Sequence, residues 1–85
     1  ADTVPDAEAG LVSAERKRAL EAAIAGLPER QRAAIQLTYG SGLANAEVAD
    51  ALGTTIEAVE AALTRGRAAL KAAMRSRGLI EETTR

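Results

Sequence analysis

Apolar residues recur along most of this chain at steps of three and four, the period of a helix packed on one side. From Ile56 the stripe continues through Val59, Leu63, Gly66, Leu70 and Met74 (or Ala73), which predicts a long helix over roughly Thr55 to Arg77. Thr54 or Thr55 is placed to cap it, and Glu57 falls in its first turn. Gly78 closes it, with Leu79 available for a hydrophobic contact at that end. Gly66 interrupts the stripe at a cost of about 1 kcal/mol against Ala, so another helix is expected to pass close by it.

Three shorter helices precede this one. The first is expected to begin near Ser13, as N-cap, with Leu20, Ala23, Ile24 and Leu27 on its apolar face. Gly26 weakens its last turn and Pro28 cannot continue the hydrogen-bond ladder. Pro28 suits the first position of a second helix, PERQRAAIQLTYG, with Ala34, Ile35, Thr38 and Tyr39 facing inward. Gly40-Ser41-Gly42 stops it. A third helix is expected over 45–52, with Val48, Ala49 and Leu52 on one side and Gly53 as its left-handed C′ residue. The fold class is therefore all-α: a four-helix domain over 13–80, ending in a helix-turn-helix with a long recognition helix. Acidic residues 1–12, broken by Pro5 and Gly10, read as an interdomain linker or flexible tail, and 81–85 as a second tail.

Composition narrows the chemistry. Of 85 residues 21 are alanine, leaving only 19 larger apolar side chains, so the core must be thin and closely packed through small faces. Tyr39 is the single aromatic, which argues against a sandwich or barrel. The chain has neither Cys nor His. It therefore lacks a thiol nucleophile, the commonest general base and the commonest metal ligand. These absences point away from an enzyme, a metal site, a cofactor and a small-molecule ligand. Nothing apolar is long enough to span a membrane, and the expected compartment is the cytoplasm.

A net charge of −1 conceals a segregated pattern. Glu47, Asp50, Glu57 and Glu60 are unopposed over 44–64, whereas Arg65, Arg67, Lys71, Arg75 and Arg77 are unopposed over 65–78. A local cluster of bases is the footprint of a nucleic-acid partner; it is equally the composition of a solvated helix face.

The segment NAEVADALGTTIEAVEAAL carries the parts of a helix-turn-helix. Ala49 supplies the small residue where the helices cross, and Gly53 the positive φ of the turn. Val48, Leu52, Val59 and Leu63 anchor both helices. Such a unit presents the start of its second helix to the major groove, although a corner between two bundle helices would use similar spacing.

Residues 27–70 carry a more specific pattern. LPERQR (27–32) is followed by Leu37, Tyr39, Gly42-Leu43, Glu47, Ala49, Leu52-Gly53, Val59, Leu63 and the pair Arg65-x-Arg67. This series resembles region 4 of the extracytoplasmic-function (ECF) sigma factors of bacterial RNA polymerase, and ERKRALEAAIAGL resembles the helix leading into it. The resemblance implies recognition of the promoter −35 element as duplex DNA, docking on the flap of the polymerase β subunit, and control by an anti-sigma factor. It also implies that the chain is the C-terminal domain of a sigma factor whose −10-reading region lies elsewhere. Position by position, it places Glu60, Ala61, Thr64 and Arg65 toward the groove and Asn45 and Thr38 near phosphates. Arg67 joins this DNA-binding set; with Lys71 and Arg75 it would support the DNA backbone, bind a partner's acidic surface or form a solvated face.

The departures matter as well. Glu60 stands where the family often has a base, Ala62 replaces a frequent Arg, and Thr38 stands where some members have a phosphate-binding Arg. Glu can accept from cytosine N4, so Glu60 is expected to alter base preference. Ala44 replaces the Ser that would form a capping box with Glu47, leaving Asn45 to cap one residue later. Two rivals remain: a sigma-like decoy that binds an anti-sigma factor without touching DNA, favoured by Glu57 and Glu60, and the output domain of an unrelated helix-turn-helix regulator.

Overall fold

The computed structural model describes residues 7–78, all within helices or the turns joining them. Four helices follow in order: α1 (Ala7–Ala25), α2 (Glu29–Ile35), α3 (Asn45–Leu52) and α4 (Ile56–Ser76). Helix α2 does not stop at Ile35 but widens into a π-helical turn over Gln36–Gly40, closed by the amide of Ser41 donating to Gln36 O at 3.1 Å. Residues 1–6 of the first expected tail, the second tail over 81–85 and the expected contact of Leu79 lie outside the described residues.

Three helix starts differ from the sequence reading. Helix α1 begins at Ala7, so Ser13 lies inside it and caps nothing, and residues 7–12 of the expected linker are helical. Ala7, Glu8 and Ala9 are strong helix formers, and their preference offsets the roughly 1 kcal/mol that Gly10 costs. Helix α3 begins at Asn45, with Ala44 in the extended N-cap conformation before it. Asn45 is therefore the first helical residue and not the cap. Glu47 Oε1 accepts from the Ala44 amide at 2.8 Å, which is one half of a capping box; the alanine has no oxygen to complete the other half. Pro28 likewise sits one place earlier than expected, as N-cap of α2.

Helix α4 is the spine on which the other three helices pack. Val59, Ala62, Leu63, Gly66 and Met74 are buried along one side of it. Val59, Ala62 and Leu63 among them form one core with Leu27, Ala34 and Ile35 from the first half of the chain and Val48 and Ala49 from α3. At Gly66 α2 comes close: a Cβ there would lie 3.1 Å from Ile35 Cγ1. Of the expected inner face of α1, Leu27 is in the core with Ile24 packed against it and Ala23 is half-buried, and only Leu20 departs. Ala19 is buried while Leu20 is 38% exposed, because the inward strip runs through Ala19 and Ala23 toward Leu27.

Candidate nucleic-acid interface

The turn between α3 and α4 is built by backbone chemistry that the sequence specifies. Gly53 takes φ 66°, a left-handed conformation that side chains resist, and the amide of Thr54 donates to Ala49 O at 2.9 Å. Thr55 then caps α4, its Oγ1 accepting from the Ala58 amide at 3.0 Å. Glu57 falls in the first turn, where a carboxylate is favoured by the positive end of the helix. The start of α4 is thus held at both the turn and the cap.

The motif LPERQR is chiefly scaffolding for this arrangement. Leu27 is in the core and Pro28 caps α2. Arg32 Nη1 donates to Leu27 O at 2.9 Å, closing the α1–α2 connection. Arg30 Nη1 donates to Thr54 Oγ1 at 3.1 Å, bracing the helix-turn-helix turn from outside. Gln31 lies against Gly66, 3.7 Å from where a Cβ would be.

Glu60, Thr64 and Arg65 are exposed on α4, Ala61 is half-buried beside them, and Arg67 is exposed. At 100° per residue, Glu60, Thr64 and Ala61 lie within about 100° of arc facing away from the core. Arg65 and Arg67 flank that arc on opposite sides, about 160° apart. Arg65 borders a shallow depression with Arg30, Pro28, Gln31, Ala58 and Ala61. Neither Glu60 nor Arg65 has a hydrogen-bond or ion-pair partner among the described residues. Arg67 is already engaged, its Nη1 donating to Tyr39 Oη at 2.8 Å.

The remaining candidates separate from this surface. Thr38 is half-buried, and its Oγ1 is enclosed with no hydrogen-bond partner, so the hydroxyl is not turned toward solvent. Asn45 is half-buried at the start of α3. Ala62 is 5% exposed, so the arginine it replaces is not missing from the outer face of α4. Tyr39, expected inward, is 61% exposed; it lies in the π-helical turn, beyond the point where α2 keeps the regular period on which that expectation rested. Sequence reasoning missed Arg30, whose only signal was membership of LPERQR.

A family model described as Sigma-70, region 4 matches residues 17–70, well over half of the chain. The chain belongs to the sigma-70 region 4 family. Region 4 domains recognise the promoter −35 element and associate with RNA polymerase, and they are DNA-binding modules without enzymatic activity. A search of curated proteins returned no match. The match takes in the second half of α1, all of α2 and α3, the turn after α3 and α4 as far as Leu70. No described helix is long and apolar enough to cross a membrane.

Proposed function

We propose that this domain reads the −35 element by laying the first half of α4 in the major groove, with Arg65 as its principal DNA contact. The observation that carries this reading is the state of Arg65: exposed, without a partner among the described residues, and next to the outward-facing Ala61 and Thr64. A free guanidinium matches guanine O6 and N7 or a phosphate. Thr64 and Ala61 offer methyl groups to thymine. Arg30, on the far side of the same depression, supplies a second positive charge for the DNA backbone. Asn45 approaches the backbone from the start of α3. Arg67 stands beside the groove and holds the π-helical turn. Thr38 keeps its assigned place near the phosphates only if its hydroxyl turns outward on binding.

The ECF subtype, docking on the β flap, control by an anti-sigma factor and a cytoplasmic setting complete the proposal. The long resemblance over 27–70 supports the subtype, and the compartment follows from the polymerase. For the flap we assign the apolar strip between α1 and the π-helical turn, where Leu20, Ile24 and Tyr39 are flanked by Lys17 and Glu21. Leu20 and Tyr39 are two of the three large apolar side chains that stay exposed among the described residues. An anti-sigma factor covering this strip would compete with polymerase.

Measuring duplex binding of the parent and Arg65→Ala against a −35 sequence selected from random DNA tests the reading. Weakened binding by Arg65→Ala supports it; unchanged binding overturns it. The decoy reading, favoured by the exposed Glu57 and Glu60 on α4, requires that no duplex be selected at all.

A further inference from the structure

We propose that Glu60 is a specificity-determining residue that selects a cytosine in the recognised duplex; this rests on the groove-facing placement of α4 proposed above. Two carboxylates sit near the reading end of α4, and their surroundings differ. Glu57 lies in the first turn, beside the free amides of the capped helix start. Glu60 lies beyond that turn, exposed, with no hydrogen-bond or ion-pair partner among the described residues. It contributes nothing to the fold that the structure shows. Its charge faces outward on the element that approaches a polyanion.

Charge and hydrogen-bonding capacity then restrict what Glu60 meets. A carboxylate beside phosphates is repelled, so the side chain is tolerated only where it extends past the backbone to the base edges. An ionised carboxylate accepts and cannot donate. In the major groove the donors are cytosine N4–H2 and adenine N6–H2, whereas guanine and thymine present acceptors. Adenine sets its amino group beside the acceptor N7. Cytosine sets its amino group beside C5–H. A carboxylate therefore meets repulsion from N7 at adenine and none at cytosine, so cytosine is the base selected.

Helix geometry separates this contact from that of Arg65. Five residues place the two side chains about 7.5 Å apart along the axis and about 140° apart around it. They address different base pairs. The expected element thus carries a cytosine read by Glu60 and, separately, a contact made by Arg65.

The test is duplex selection from a randomised library by the 85-residue chain, immobilised at low ionic strength, alongside Glu60→Gln and Glu60→Ala. An exposed, unpaired position should leave the helical circular-dichroism signal of both variants unchanged. The expected result is an enriched motif containing one C·G pair whose identity depends on residue 60. Glu60→Ala should relax that position by about tenfold, and Glu60→Gln should turn it toward adenine, which glutamine contacts at N6 and N7. The other positions should persist in all three motifs. Identical motifs from parent and variants, or a parent motif lacking that cytosine, overturn this proposal and leave the DNA-reading function standing. Failure of the parent to enrich any sequence overturns the function itself, and the assignment of Glu60 with it.

Discussion

Gly66 and Ile35 bring α4 and α2 together at the tightest approach seen at any described glycine: a Cβ on Gly66 would meet Ile35 Cγ1 at 3.1 Å. Ile35 is itself buried, so it has little room to withdraw. Two effects oppose each other in Gly66→Ala. Helix propensity favours alanine by about 1 kcal/mol, and overpacking costs about 1–3 kcal/mol. We expect Gly66→Ala to lie between no change and a loss of about 2 kcal/mol, and Gly66→Val to lose more than about 2 kcal/mol, because its branched methyls have nowhere to go. Urea unfolding followed by circular dichroism measures both. A stable Gly66→Val variant would show that α2 does not lie where the structure places it.

The caps of the two helix-turn-helix helices make a contrasting pair. Thr55→Ala removes the oxygen that holds the Ala58 amide and should cost about 1 kcal/mol. Ala44 already has N-cap geometry, φ −77° and ψ 162°, with Glu47 bonded back to its amide. Ala44→Ser should complete the capping box and stabilise the domain by about 1 kcal/mol. Combining Ala44→Ser with Glu47→Ala should forfeit part of that gain. Midpoints from the same urea titrations test the three variants together.

Much of this was legible beforehand, because it depends on local rules. Gly53 in the turn, Thr55 at the cap, the close approach at Gly66 and the extent of α4 each follow from a neighbour within a few residues or from a period. What failed depended on competition. The start of α1 was hidden because Pro5 and Gly10 read as breakers, whereas the alanine-rich stretch between and beyond them was enough to extend the helix. Tyr39 was placed inward by a regular helical period that the π-helical turn interrupts. For the interface, outward positions on α4 were readable from the stripe they avoid. The Arg67–Tyr39 and Arg30–Thr54 hydrogen bonds span 28 and 24 residues, and no local pattern announces a contact of that range.

Thr38 offers a separate test. Its enclosed hydroxyl has no partner, and burying an unpaired hydroxyl costs about 1–3 kcal/mol. Thr38→Val keeps the shape and removes that oxygen, so it should raise stability by about 1 kcal/mol and leave DNA affinity unchanged. A loss of affinity would mean that the hydroxyl rotates outward to a phosphate in the complex.

The strip proposed for polymerase docking and the α4 surface proposed for DNA reading are different parts of the molecule, and single substitutions should separate the two roles. Leu20→Glu places a charge in the strip formed with Ile24 and Tyr39. It should weaken binding to the polymerase β flap at least tenfold, roughly the effect of losing one buried apolar anchor. Duplex binding should be untouched. Tyr39→Phe removes only the hydroxyl bonded to Arg67 and should cost under about 1 kcal/mol, as an exposed hydrogen bond does. Pull-down with isolated flap and anisotropy with labelled duplex report the two activities independently.

The most direct measurement is the salt dependence of duplex affinity for the parent, Arg65→Ala and Arg67→Ala. Arg65 lines a depression with Arg30 and has no partner among the described residues, whereas Arg67 is held by Tyr39. Each phosphate contact contributes about one unit to the slope of log K against log salt, and a base contact costs affinity at a specific position when removed. Arg65→Ala is expected to weaken binding to the selected duplex by roughly tenfold or more, on the order expected for a guanidinium contact, while Arg67→Ala leaves affinity within about twofold and lowers thermal stability slightly. Loss of affinity in Arg67→Ala with none in Arg65→Ala would contradict this expectation.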